Sequence, residues 1–221
     1  MQPTAPAGSP PVSKVKPRLR GVSHHLASYV AAIATTGLCL RAATPRELWP
    51  TIVYGACMTT LFAISATYHI PTWRPLQRQR MRRLDHAAIY LQIAGTYTPV
   101  CLLALPANDG EPLLWAIWLA ALAGIAKSVL WVNAPKPVSA ALYVAMGWAV
   151  ITRWQSVAQA LEPTGLGLLL GGGALYTLGA LIYALRRPDP LPELFGYHEI
   201  FHALVVAAAA CHFVMVARIV D

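Results

Sequence analysis

Seven stretches of roughly 20 mostly apolar residues, parted by short segments rich in proline and arginine, occupy nearly the whole chain after its first 21 residues. A helix rises about 1.5 Å per residue, so each stretch matches the roughly 30 Å hydrocarbon core of a bilayer. The expected spans are 22–40, 50–70, 84–105, 113–131, 138–157, 166–185 and 197–219. The breaks fall at Pro45 and Pro50, Pro71 and Pro75, Pro106 to Pro112, Pro135 and Pro137, Glu162 to Gly165, and Pro188 to Pro192. At 57% hydrophobic and 12% charged residues, with mean hydropathy +0.51, the chain has too little polar surface to coat a soluble domain. The fold class is therefore an all-α seven-transmembrane-helix bundle, residues 22–221. Residues 1–21, proline-rich and basic, are expected to form a disordered tail; a signal peptide fits less well, because six further spans follow its would-be apolar core.

Loop charge gives the orientation. Thirteen Lys and Arg lie in the tail, in the second and fourth loops and at Arg186 and Arg187, against four (Arg41, Arg46, Arg153 and Arg218) on the alternate side. Positively charged segments stay in the cytoplasm, so the N-terminus is expected inside and the C-terminus outside, in the cell's inner (plasma) membrane. The net charge of +8 does not indicate nucleic acid, since the basic residues sit between apolar runs and form no continuous recognition face. Cys39, Cys57, Cys101 and Cys211 lie inside apolar segments without paired spacing, which points to neither disulfides nor a thiolate metal site. In span six, Gly167, Gly171, Gly172, Gly173 and Gly179 offer small faces for close helix packing.

This topology puts six of the seven histidines at the cytoplasmic ends of their spans; only His212 belongs to the outer half. His198 and His202 are spaced i, i+4, which sets both rings on one helix face as zinc capture requires. Ser65 and His69 repeat that spacing on span two, and Asp85 lies in the first turn of span three. Borderline-soft imidazole nitrogens suit zinc, and three histidines leave a fourth position for a water that Asp85 or Ser65 would orient. His24, His25 and His86 are expected to be structural. His198-Glu199-Ile200-Phe201-His202 also matches H-E-x-x-H, which raises an intramembrane zinc protease as an alternative; Asp85 precedes the motif, however, whereas in the site-2 proteases the acidic ligand follows it.

The strings SATYH (65–69), RRLDHAAIYLQIAGTYTP (82–99), YVAMGW (143–148), LLLGGGALYTLGALIY (168–183) and YHEIFHALVVAAAACHF (197–213) resemble the hemolysin III branch of the progestin and adipoQ receptor superfamily, which includes the bacterial hemolysin III proteins and the adiponectin receptors. The resemblance implies seven helices with the N-terminus inside and a zinc ion on three histidines, which carry over to His69, His198 and His202, with Ser65 and Asp85 as the polar companions of its water. The adiponectin receptors have glutamine at the position of Glu199, which weakens the protease alternative. One departure lies before span one, where the usual acidic residue and asparagine are replaced around Arg20 and Gly21, although Ser23-His24 fits the end of that motif.

Three functions compete. The first is a zinc-dependent hydrolase of lipid amides acting in membrane lipid homeostasis, with Asp85 and Ser65 as catalytic residues; the wider resemblance to alkaline ceramidases favours an amide. The second is a non-enzymatic receptor or sensor in which zinc staples spans two and seven. The third, a pore-forming cytolysin, is the weakest, since no span carries a continuous polar stripe beyond the histidine layer. Membrane lipids are the expected partners; the sequence leaves the oligomeric state open.

Overall fold

The computed structural model describes residues 16–220, and among these every long element is a helix. In chain order they are α1 (Val22–Arg41), α2 (Pro45–His69), α3 (Pro75–Pro99), α4 (Ala107–Leu130), α5 (Lys136–Gly147), α6 (Trp154–Ala160), α7 (Pro163–Leu185) and α8 (Tyr197–Val220). A π turn, Val100–Ala104, prolongs α3, and a 3₁₀ segment, Trp148–Arg153, joins α5 end to end with α6. Seven helical rods result, one for each apolar stretch. Five are long and apolar enough to cross a membrane on length and composition; the others are α1, which opens on a polar turn containing His24 and His25, and the rod broken into α5 and α6.

Several helices start earlier than the apolar pattern. Thr44-Pro45-Arg46-Glu47 forms a capping box, with Glu47 N–H donating to Thr44 Oγ1 at 3.3 Å and Thr44 N–H to Glu47 Oε2 at 3.3 Å, so α2 begins at Pro45 rather than residue 50. Pro50 and Pro112, read in the sequence as breaks, lie inside α2 and α4, within their first two turns. Pro75 opens α3 nine residues before its apolar stretch, where proline's missing N–H costs nothing. That polar extension carries Arg78, Arg80, Arg82 and Arg83 past the end of the apolar span.

Sequence neighbours pack side by side from α1 to α4, α5 touches α3 and α4 and docks on α7, α7 packs on α8 and α8 on α1, closing a ring. Heptad-like stripes supply the inner faces. On α2 the buried positions include Thr51, Tyr54, Met58, Leu61, Ser65 and His69; on α8 they include His198, His202, Val205, Ala209, His212 and Val216. The stripe on α7 is glycine: Gly172 fits against the His212 ring and Gly179 against Phe201, while Gly167 and Gly171 meet nothing within 4 Å among the described residues. Trp148 packs inward, its indole N–H donating to Thr177 Oγ1 at 2.9 Å.

The basic segments gather at one end. Lys16 Nζ donates to the Ile70 carbonyl at 2.7 Å, Arg18 N–H to the Glu193 carbonyl at 3.0 Å, and Arg82 to Asn133 Oδ1 at 3.4 Å. Residues 16–21, assigned to the tail on composition, thus lie against the loops after α2 and α7, because their backbone donors find carbonyls there. The rest of the expected tail, residues 1–15, lies outside the described residues. At the opposite end Arg218 donates to Glu162, which holds that carboxyl below its usual range.

A side chain at Gly95 would place Cβ 2.5 Å from Cys57 Cβ, at the close crossing of α2 and α3. Gly95→Val should therefore cost about 1–3 kcal/mol by overpacking, whereas Gly37→Ala, with nothing within 4 Å, should leave stability unchanged or raised. Thermal unfolding of both variants in detergent reads the difference; equal melting temperatures would refute the packing account.

Candidate metal centre

The inner stripes of α2 and α8 run out at the basic end of the bundle, and the residues that finish them are imidazoles. His69 is the last residue of α2; His198 and His202 fill the first two turns of α8. All three are buried, and a ligand atom from each lies within 4.8 Å of the others. Nε2 of His69 and Nε2 of His198 are 3.3 Å apart. Two nitrogens each about 2.0–2.1 Å from one tetrahedral ion would be separated by about 3.3–3.4 Å, so this spacing suits a shared ion. An N–H···N hydrogen bond would account for two of the rings at most. The buried Nδ1 of His202 has no hydrogen-bond partner among the described residues, and no thiol stands among these donors; the set fits a borderline cation that accepts imidazole.

Asp85 comes from the third turn of α3, just where its polar extension meets the apolar span. Its Oδ2 lies 4.0 Å from His69 Nε2 and 3.6 Å from His86 Nδ1, and the carboxylate is 13% exposed. Ser65, one turn before His69 on the same face, is buried against it. The five residues singled out in the sequence are thus brought to one place. All five line a single cavity of about 1180 Å³ that opens among Lys16, Arg78 and Arg82 and runs inward past Leu61, Ile89, Ile93 and Val205 as far as His212. His212, expected in the outer half of its span, lies at the far end of this cavity.

Other contacts were not legible in the sequence. The His24 ring lies flat on that of His202, centroids 3.8 Å apart and planes 7° apart, with Phe62 edge-on behind it. Gly21 adopts φ +84°, and a Cβ there would stand 2.8 Å from His69 Cβ. The carboxylate of Glu199 pairs with Arg20 and accepts the Gly196 N–H at 2.9 Å, leaving Glu199 3% exposed and Arg20 19%. One short segment, residues 20–24, therefore touches two of the three histidines and the residue beside the third. The signal available was the H-E-x-x-H match. It suggested a general base, whereas this glutamate is committed to an arginine and a backbone amide, away from the open face of the cluster.

Comparison with known proteins bears on this arrangement. The Haemolysin-III related family model matches residues 12–213. Hemolysin-3 of Bacillus cereus is 37% identical over 161 residues, covering 73% of this chain and 70% of that protein. The Hemolysin-3 homolog of Bacillus subtilis is 30% identical over 195 residues, covering 87% and 88%. Heptahelical transmembrane protein 4 of Arabidopsis thaliana is 31% identical over 188 residues, covering 76% of this chain and 48% of its own length.

Removing Glu199 would strand the Arg20 charge. Glu199→Ala should destabilise by about 2–4 kcal/mol, toward the lower end because Arg20 keeps some contact with water, and should expose residues 16–21 to limited proteolysis. Glu199→Ala with unchanged melting and unchanged cleavage would rule out a holding role for the Arg20–Glu199 pair.

Proposed function

The chain belongs to the haemolysin-III-related family of multi-pass membrane proteins, and from the site it carries we propose that it is a zinc-dependent hydrolase of lipid amides, ceramidase-like, acting in membrane lipid homeostasis. The observation that carries this reading is the convergence of three buried imidazoles beside a carboxylate on the wall of a long, largely apolar cavity. In this reading His69, His198 and His202 hold zinc, which when bound supplies Lewis acidity toward the amide carbonyl and lowers the pKa of water. Asp85 accepts a proton from the water that adds to the carbonyl carbon. It returns that proton to the amine nitrogen as the C–N bond breaks. Ser65 fixes the carboxylate's orientation from the same helix face as His69. The apolar wall formed by Leu61, Ile89, Ile93 and Val205 takes the acyl chain. In this reading the N-terminus and the cavity mouth face the cytoplasm of the plasma (inner) membrane, on the strength of the loop-charge asymmetry.

A second reading has one observation in its favour. The histidines join the end of α2 to the start of α8, so zinc would also cross-link the bundle, as a receptor or sensor with a structural ion requires.

One zinc per chain is expected in the purified protein, lost in His202→Ala and retained in Asp85→Ala, with lipid-amide turnover falling by at least about 10²-fold in the latter, the usual scale of a lost general acid–base. Metal analysis paired with a hydrolysis assay over neutral and anionic-headed lipid amides reads both. Wild-type protein without zinc would overturn the site. A zinc-loaded protein inert toward lipid amides and esters, whose histidine variants only unfold, would leave the structural reading.

A further inference from the structure

Lys136, the first residue of α5, carries a charge that neither the helix packing nor the proposed hydrolysis employs. A lysine at a helix end ordinarily extends toward water or headgroups. This one lies across the rim of the cavity: its ammonium is 4.2 Å from the centroid of the Tyr183 ring and 4.9 Å from that of Tyr197, and it donates to the Tyr197 hydroxyl at 3.0 Å. Both rings flank His198, at centroid distances of 5.8 and 6.0 Å, and Lys136, Tyr183, Tyr197 and His198 all line the cavity. Lys127 makes the contrast. It donates to Ser139 Oγ at 2.6 Å and is absent from the cavity wall.

The groups that hold Lys136 are neutral. Among the described residues no carboxylate forms an ion pair with it: Asp85 stands beside His69 and His86, Glu199 pairs with Arg20, and Asp189 accepts the Tyr197 N–H. An ammonium has three donors, and the tyrosine hydroxyl uses one. A part-buried cation over aromatic faces, next to a cavity and without a counter-ion, is matched by an anion. Lys16, Arg20, Arg78 and Arg82 line the same cavity and outnumber the carboxylates Asp85, Asp189 and Glu193 there, which leaves its charged lining net positive.

We propose that Lys136 reads the charge of the cavity's occupant: the site takes an amphiphile bearing an anionic group, carboxylate or phosphate, docked on the Lys136 ammonium beside the histidine cluster. The inference rests on the reading of the cavity as a lipid site at a zinc centre and narrows its substrate class to anionic-headed lipids. Lys136 is then a specificity-determining residue. It has no part in holding the metal.

The test uses the purified full-length protein in neutral detergent, titrated with dodecyl phosphate, dodecanoate, 1-dodecanol and inorganic phosphate and followed by native mass spectrometry. The wild type should bind the two anionic amphiphiles about tenfold or more tighter than the alcohol, the value of one charge-assisted hydrogen bond. Lys136→Met should reduce them to the level of the alcohol at unchanged zinc content, while Lys136→Arg and Lys127→Met should keep the preference. Equal affinity of Lys136→Met and wild type for dodecyl phosphate would overturn the assignment. Inorganic phosphate binding as tightly as dodecyl phosphate, and lost in Lys136→Met, would overturn the lipid and make the ligand a soluble anion. If Lys136→Met fails to fold, Lys136→Gln and the arginine variant carry the comparison. Wild-type protein lacking zinc would remove the metal reading, and the anion preference would still be decided by the same titration.

Discussion

Three imidazoles in one small buried volume set the terms for everything around them. Inside a bilayer a polar side chain without a partner is costly, and a charged one more so. His69 and His198 approach to 3.3 Å and His202 stands within the same 4.8 Å cluster, which puts three imidazole nitrogens where a single ion could take them together. The inner stripes of α2 and α8, the turn of α3 that delivers Asp85, and the segment ending in His24 are arranged so that four elements reach this point. Moving the α2 stripe by one residue would turn His69 about 100° away from the cluster.

Much of that arrangement is local and therefore readable from sequence. Helix periodicity puts His198 and His202 on one face and Ser65 and His69 on another, whatever the rest of the chain does, and loop-charge parity puts those helix ends at one level. The seven apolar stretches correspond to the seven rods for the same reason. Helix starts were harder, because hydropathy marks where a helix enters lipid and says nothing of where its hydrogen bonding begins. The capping box at Thr44 and Glu47 and the arginine-rich extension of α3 both lie outside the apolar windows. Contacts made by loops were not readable at all. Lys136 appeared only as one of thirteen topogenic charges, and nothing local tells that its ammonium lies over Tyr183, 47 residues on, rather than in solvent.

The H-E-x-x-H match shows why a short motif needs its surroundings. Residue i+1 of a helix sits about 100° around from residue i, so Glu199 lies to the side of the face that His198 and His202 present to the cluster. What decides its role is the partner on that side. Arg20 and the Gly196 amide occupy the carboxylate, and a base engaged in an ion pair and a backbone cap is poorly placed to take a proton from a water at the histidines. Asp85 has no such commitment: its neighbours are imidazoles and a serine at the cavity wall.

The same pair accounts for the departure before span one. An arginine in the segment before α1, where an acidic residue and an asparagine are usual, would be an unbalanced charge at the rim of a low-dielectric site. Glu199 balances it, 179 residues away in the chain. Glycine follows for a steric reason: the backbone at residue 21 takes φ +84° while passing so close to His69 that a Cβ would overlap its side chain, a combination that L-residues with side chains avoid. Arg20 and Gly21 are thus two halves of one solution. The glycine lets the chain pass over His69, and the arginine fastens it beside His198, leaving His24 to close against His202.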